Sequence, residues 1–150
     1  MNYWNREKIV SLLEQSGRIA MEYKTKMAPE MKSDNSIVTQ ADKAIEAFLD
    51  EAFTDEASNV FVIGEESIDS CSLSKALDNT AFIIDPIDGT AVYAAGLPMW
   101  GISIGYAVKG VMTESAVYLP ETEELCLSSN WQSIRFRTPI EIVPCAMFVL

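Results

Sequence analysis

A chain of 150 residues, of which 49% are hydrophobic and 22% charged, suits one domain with a sizeable core. Its formal net charge of −11 argues against nucleic acid or an anionic membrane as a partner, because binding to phosphate backbones depends on lysine and arginine. The absence of histidine excludes Ser-His-Asp and Cys-His catalysis and any zinc site with histidine ligands.

Cysteine usage and the lack of long apolar runs bear on the compartment. The three cysteines are odd in number and form no CxxC pair, which favours a reducing environment. No segment has the apolar core of a signal peptide, and no apolar run approaches the roughly 20 residues of a membrane-spanning helix. We therefore expect a cytoplasmic protein without a membrane partner.

The first half of the chain predicts two helices followed by two strands. Apolar side chains recur at helical spacing over residues 5–26, with Asn5 as the N-cap. A second helix is expected to begin where residues 39–42 (TQAD) have the form of a capping box, with Asp in place of the usual Glu. Apolar runs then predict buried strands at residues 60–63 and 81–84.

The second half predicts strands. Residues 101–108 alternate large and small side chains, and residues 115–119 and 124–127 form two further candidate strands around a turn. Residues 139–150 are apolar to the last position, which fits either a buried terminal strand or, as we favour, the first half of a longer chain.

Acidic residues follow both of the predicted buried strands in the first half. Glu65 follows the earlier strand, and Asp85 and Asp88 follow the later one. Carboxylates are hard oxygen donors that select Mg²⁺, Mn²⁺ or Ca²⁺ over zinc, and in a tight turn the Ile87 carbonyl can supply a further oxygen. The sequence therefore predicts one shared cation site. The alternative is that the two aspartates only shape a turn and cap a helix.

The residues after these aspartates are candidates for binding a phosphate group. Gly89 and Thr90 would open a helix, and exposed amides at a helix N-terminus bind phosphate without a cationic side chain. Asp42 either serves only the capping box or also orients Thr90 or an attacking water. Lys32 could reach the site, although such a lysine is more often solvated, and Glu66 is more often solvent-facing than a ligand.

Three separated motifs resemble the inositol monophosphatase family of metal-dependent, lithium-sensitive sugar phosphatases. They are residues 37–42 (IVTQAD), 63–67 (IGEES) and 84–90 (IDPIDGT), in the family's order and with family-like separations. The resemblance implies an α/β (α+β) fold, a layered αβαβα sandwich, and a homodimer. Residues 1–150 would be the N-terminal, metal- and phosphate-binding portion as a single domain. The Trp-Asp motif of the family's C-terminal half is absent, since Trp131 is followed by Gln132.

The resemblance also implies two or three Mg²⁺ ions, for which Mn²⁺ can substitute. Glu65, Asp85 and the Ile87 carbonyl would bind one ion, and Asp85 and Asp88 a second. Glu65 would reach a third, weaker ion through water.

The same resemblance assigns roles toward a small phosphorylated substrate. Thr90, supported by Asp42, would help to activate the attacking water together with Glu65, and Glu65, Asp88, Gly89 and Thr90 would contact the substrate. The expected reaction is hydrolysis of a sugar or inositol phosphate by in-line attack of a metal-activated water. The alternatives are a 3′-phosphonucleotide or fructose-1,6-bisphosphate phosphatase on the same scaffold, and a non-catalytic fragment that binds cations or a partner.

Overall fold

The computed structural model of the chain describes residues 2–25, 30–31, 37–55, 59–68, 70–128, 132–135 and 143–144. The helices in these ranges are α1 (Arg6–Lys24), α2 (Gln40–Phe53), α3 (Ser70–Asp78) and α4 (Thr90–Ala94). The strands are β1 (Glu30–Met31), β2 (Ile37–Val38), β3 (Val60–Gly64), β4 (Thr80–Asp88), β5 (Gly101–Val108), β6 (Val111–Leu119), β7 (Glu124–Leu127), β8 (Gln132–Arg135) and β9 (Val143–Pro144). No helix in the described part of the chain is both long and apolar enough to cross a bilayer.

Seven strands form one sheet in the order β3-β4-β5-β6-β7-β8-β9, and β1 and β2 form a separate antiparallel pair. β3 and β4 are parallel, whereas each later neighbour is antiparallel. A parallel pair needs a crossover connection, and α3 supplies it between β3 and β4. The carboxyl ends of these two strands therefore lie at the same edge of the sheet.

Helices α1 and α2 pack on one face of the sheet and bury most of the core there. The ring of Phe53 on α2 stacks on Phe82 of β4 with centroids 4.0 Å apart. The largest fully buried side chains of this core include Ile9, Leu13, Ile45, Leu49, Ile84, Ile102, Ile104 and Leu125. On the opposite face α3 covers a smaller cluster formed by Ile63, Ala76 and Ala81.

The short helix α4 is fixed to α1 through Tyr93. Its buried hydroxyl donates to the Ala20 carbonyl at 2.6 Å, and its ring meets Trp100 edge-on with centroids 4.8 Å apart. Burial, together with the charge of Asp42, raises the pKa of Tyr93 to about 12, so the phenol stays a neutral donor. This anchor fixes the position of the residues at the start of α4.

Most of the elements predicted from the sequence are present. The helix predicted over residues 5–26 is α1, and its N-cap Asn5 accepts the Lys8 N–H at 2.9 Å. The capping box predicted at residues 39–42 is confirmed at the start of α2. The predicted strands correspond to β3 to β7, and the mixed α/β class is confirmed.

Other elements differ from the prediction. β4 does not end at residue 84 but continues through the acidic residues to Asp88, and β6 begins at Val111 rather than at residue 115. The sequence patterns did not predict α3 or the short strands β1, β2, β8 and β9. The serine-rich α3 has weak intrinsic helix propensity, and its place is set by the crossover it makes. Of the apolar stretch 139–150, only β9 lies within the described residues.

Candidate metal and phosphate site

The parallel pairing of β3 and β4 brings two acidic residues together at one edge of the sheet. The register pairs Gly64 with Ile84, so Glu65 and Asp85 are the next residues of adjacent strands. The carboxyl group of Glu65 is close enough to that of Asp85 to raise its pKa. This contact joins the two acidic motifs that lie 20 residues apart in the sequence.

A bulge in β4 determines where Asp88 points. Asp85 pairs with Ser103 and Asp88 with Gly101, so three steps along β4 correspond to two along β5. In a regular strand, side chains three residues apart lie on opposite faces, and one extra residue returns them to the same side. Pro86 lies inside the bulge, where its missing N–H breaks no regular ladder pairing.

The electrostatics of Asp85 reflect this crowding of carboxylates. The pKa of Asp85 is raised from 3.8 to about 7, chiefly by burial and then by the negative charges of Glu65 and Asp88 and the hydrogen bond with Glu65. Its Oδ1 atom is buried and has no hydrogen-bond partner. A buried, unpartnered carboxylate oxygen on a residue near other carboxylates is a good ligand for a hard divalent cation.

The residues present therefore fit a divalent cation, but their side chains alone do not complete its coordination. Among the residues that the structure describes, no three acidic or cysteine side chains already surround one point. Oxygens from the backbone, water or a substrate would have to complete the coordination, as is common for Mg²⁺. The Ile87 carbonyl is one such oxygen. It accepts the Thr90 hydroxyl at 2.9 Å, and a carbonyl oxygen has a second lone pair that can bind a further group.

Thr90 and Asp42 connect the start of α4 with the start of α2. The Thr90 hydroxyl lies 3.2 Å from Oδ1 of Asp42, which is 1% exposed. The other oxygen, Oδ2, accepts the backbone N–H of Thr39 at 2.8 Å and its hydroxyl at 2.6 Å. Asp42 thus takes part in the capping box and also contacts Thr90, so the two alternatives considered for it are compatible. Gly89, the N-cap of α4, has a left-handed backbone with φ of 86°.

The remaining candidates lie elsewhere or outside the described residues. Lys32 is not among the residues that the structure describes. Glu66 is half-buried, and its backbone N–H donates to Oε2 of Glu46 at 2.8 Å. Sequence reasoning missed Glu46, a buried carboxylate of α2. Its one signal was its position four residues after Asp42, which places both acids on the same buried face of the helix.

Two cavities differ in whether they adjoin the candidate site. One of about 320 Å³ is lined by Asp88, Gly89 and Trp100 among others, so it opens beside the candidate site. Another of about 630 Å³ lies between α1 and the turn after β6 and contains none of the predicted site residues. Because the smaller of these two cavities contains the candidate residues Asp88 and Gly89, we take it as the space in which a substrate would bind.

Comparison with known proteins identifies the family of this chain. The sequence profile of the inositol monophosphatase family matches residues 6–146. The chain belongs to the inositol monophosphatase family. The resemblance seen in the three motifs is thereby confirmed, and so is the fold class.

Two curated members of the inositol monophosphatase family illustrate the degree of similarity. Inositol monophosphatase 3 of Solanum lycopersicum is 34% identical over 118 residues, covering 77% of this chain and 44% of that protein. Inositol monophosphatase 1 of Sus scrofa is 36% identical over 111 residues, covering 73% and 40%. The chain therefore spans less than half the length of these relatives.

A solved structure agrees with this placement. An IMPase/NADP phosphatase complexed with NADP and Ca²⁺ matches with a TM-score of 0.71 and 25% identity, covering 81% of this chain and 46% of that one. The roles of individual residues in this chain stay predictions, because the comparison concerns the family and the fold.

Proposed function

We propose that residues 1–150 act as one domain that binds metal and phosphate in a phosphoric monoester hydrolase of the inositol monophosphatase family. The observation that carries the proposal is the buried, unpartnered Oδ1 of Asp85 beside the carboxylates of Glu65 and Asp88. Such a group of acids would repel a phosphate ester unless cations lay between them. Family membership supplies the reaction class.

The proposed cofactor is Mg²⁺, two or three ions, with Mn²⁺ as a substitute. Glu65, Asp85 and the Ile87 carbonyl would hold one ion, and Asp85 and Asp88 a second, while Glu65 would reach a third through water. Divalent ions in such a site supply two effects, a lower pKa for bound water and compensation of the charge on the phosphate. Support comes from the oxygen-only donor set and from the Ca²⁺ present in the similar IMPase/NADP phosphatase structure.

The chain's own residues would then bind the phosphate group and orient the attacking water. Thr90 donates its hydroxyl proton to Asp42 or to the Ile87 carbonyl, which leaves the lone pairs of its oxygen free to accept a proton from a water. The left-handed Gly89 has no side chain, so a phosphate group could approach the backbone amides of Gly89 and Thr90 closely. Asp88, at the edge of the 320 Å³ cavity, would contact the substrate.

An inositol or sugar monophosphate is the first substrate candidate, in keeping with the names of the curated relatives. A 3′-phosphonucleotide is the second candidate, and one similar structure, described as an IMPase/NADP phosphatase, adds NADP as a phosphorylated nucleotide to be tested. Fructose 1,6-bisphosphate completes the set. The homodimer and the lithium sensitivity implied by the family resemblance belong to the same proposal, as does the cytoplasmic location expected from the cysteine usage.

Cation binding and turnover test the proposal separately. Electron paramagnetic resonance would measure Mn²⁺ binding to the 150-residue chain, and phosphate release would be measured with inositol 1-phosphate, NADP and fructose 1,6-bisphosphate in Mg²⁺, with and without Li⁺. We expect Mn²⁺ binding that Asp85→Ala abolishes, and release that stops in EDTA and in Asp88→Asn. Absence of Mn²⁺ binding would contradict the cation site. Binding without release from any of these esters would favour the non-catalytic alternative for this chain.

A further inference from the structure

We propose that Glu46 is a positioning residue, which fixes the turn after β3 so that the Glu65 carboxylate stays beside Asp85. The inference rests on the proposed cation site but concerns a residue outside it. Glu46 lies on α2, is 7% exposed, and is not one of the candidate metal ligands. Burial of a carboxylate is costly unless it is hydrogen-bonded, so its place in the core calls for a specific partner.

The first contact of Glu46 is with the backbone after Glu65. Its Oε2 accepts the N–H of Glu66 at 2.8 Å, a hydrogen bond to a carboxylate at a short distance. The bond joins α2 to a turn 20 residues away in the chain. It therefore restrains the turn from the side of the helix layer.

The second contact is with the backbone before Glu65. A Cβ atom placed on Gly64 would lie 2.2 Å from Cδ of Glu46 and 2.4 and 2.5 Å from its two carboxylate oxygens. With contacts this short the Glu46 carboxylate would have to move, so its present position against the strand end requires glycine at residue 64. Glu46 thus contacts the residues on both sides of Glu65.

The position of Glu65 follows from these two contacts. Glu65 itself is exposed, and a short turn bearing an exposed side chain has several accessible conformations that a bound cation would have to restrict. A restraint already present in the metal-free protein lowers that cost, as outer residues around metal ligands do in general. Because Asp42 and Glu46 share one face of α2, the same helix supports Thr90 and the Glu65 turn.

The experiment compares Glu46→Ala with Glu46→Gln in the 150-residue chain. Glutamine retains an oxygen that can accept the Glu66 N–H, whereas alanine removes it. We expect Mn²⁺ affinity, measured by electron paramagnetic resonance, to fall about tenfold or more in Glu46→Ala and to stay within about threefold of wild type in Glu46→Gln. Unchanged affinity in Glu46→Ala overturns the inference. Equal losses in both variants also overturn it, since a charge requirement would make Glu46 a ligand.

A control variant distinguishes positioning of Glu65 from general destabilisation. A measurement on the metal-free protein distinguishes it from failure of the proposed cation site. Phe53→Leu weakens the packing of α2 on Phe82 without touching the turn, so it should lower stability and leave Mn²⁺ affinity unchanged. Hydrogen exchange of the Glu66 amide in EDTA should be fast in Glu46→Ala and slow in wild type and Glu46→Gln. This exchange measurement does not depend on Mn²⁺. If wild type binds no Mn²⁺, the proposed cation site is rejected, but the restraint by Glu46 is still tested by the exchange rates. Fast exchange in wild type would reject the restraint.

Gly64→Ala gives an independent check of the second contact. Its Cβ would displace the Glu46 carboxylate, so Mn²⁺ affinity should fall as in Glu46→Ala. In the double variant Gly64→Ala/Glu46→Ala the clash is absent, and the loss should be no larger than in Glu46→Ala alone. Losses that add in full would contradict a direct contact between the two positions.

Discussion

The hydroxyl of Thr90 lies 3.2 Å from Oδ1 of Asp42, although 48 residues separate them in the chain. Oδ2 of the same carboxylate accepts two hydrogen bonds from Thr39, at the N-cap of α2. One buried carboxylate therefore joins the beginnings of α2 and α4. Because α4 follows the acidic bulge directly, a restraint on the start of α2 also restrains the position of Thr90 relative to the candidate ligands.

Replacing Thr90 by valine removes the hydroxyl and keeps the shape of the side chain. We expect the free energy of unfolding to fall by about 1–2 kcal/mol, because the buried Oδ1 of Asp42 loses this donor. Thr90→Ser is the matched control, since it retains the hydroxyl and should lose clearly less. Urea denaturation in EDTA measures both. Equal stability of the two variants would show that the contact with Asp42 contributes nothing measurable.

The stability of the metal-free protein should depend on pH through Asp85. Its pKa is about 7 in the folded chain against an ordinary value of 3.8, so the folded state holds the proton more tightly than the unfolded state. Stability contributed by this group is then greatest at low pH, declines between about pH 4 and 7, and changes no further above. A divalent cation competes with the same proton, so its stabilising effect should be larger at pH 8 than at pH 5.

Asp85→Asn provides the reference for that measurement. Other carboxylates titrate in the same range, so the quantity of interest is the difference between wild type and variant in urea denaturation at several pH values in EDTA. The difference should shift in favour of the variant as pH rises toward 7. Parallel stability curves would contradict the raised pKa of Asp85.

The parts of the site that sequence could predict are those set by local pattern. The capping box at Thr39 and Asp42 and the two strand ends are local features, and each follows from spacing over a few residues. Because acids follow both strands, the sequence predicted one shared site for Glu65 and Asp85, and the parallel pairing of β3 and β4 is the structural reason that the two residues are neighbours.

Other features depend on contacts between distant segments. The sequence predicted that Asp85 and Asp88 follow the end of a strand and share one cation site, but it did not predict that β4 continues through both of them. Residues three apart in a regular strand point to opposite faces, so a common side then requires a bulge. The bulge that places them there arises from the register with β5. Glu46 was missed for a similar reason, because an acid on an amphipathic helix is normally solvated and its burial appears only when α2 meets the end of β3.

Removal of the Glu65 charge should separate stability from cation binding. Glu65 is the largest of the charged groups that raise the pKa of Asp85, so Glu65→Gln should lower that pKa and stabilise the metal-free chain at pH 8. The same change removes a candidate ligand, and Mn²⁺ affinity should fall about tenfold or more. Glu66→Gln alters the net charge equally and should change both quantities less. Matching behaviour of the two variants would show that net charge, rather than the site, governs the effect.

Two glycines with left-handed backbones allow strain and function to be distinguished. Gly89 has φ of 86° and Gly96 has φ of 76°, and alanine at either position should cost about 1 kcal/mol of stability from backbone strain alone. An added Cβ at Gly96 meets nothing within 4 Å, whereas at Gly89 it would lie 3.4 Å from the Met99 carbonyl, an ordinary contact. We therefore expect similar losses in thermal denaturation for Gly89→Ala and Gly96→Ala. Only Gly89→Ala should weaken inorganic phosphate binding in the presence of Mg²⁺, measured by calorimetry, because Gly89 lines the cavity beside Asp88 and a methyl group there would narrow the proposed approach to the amides. Equal phosphate affinity in both variants would remove Gly89 from the site.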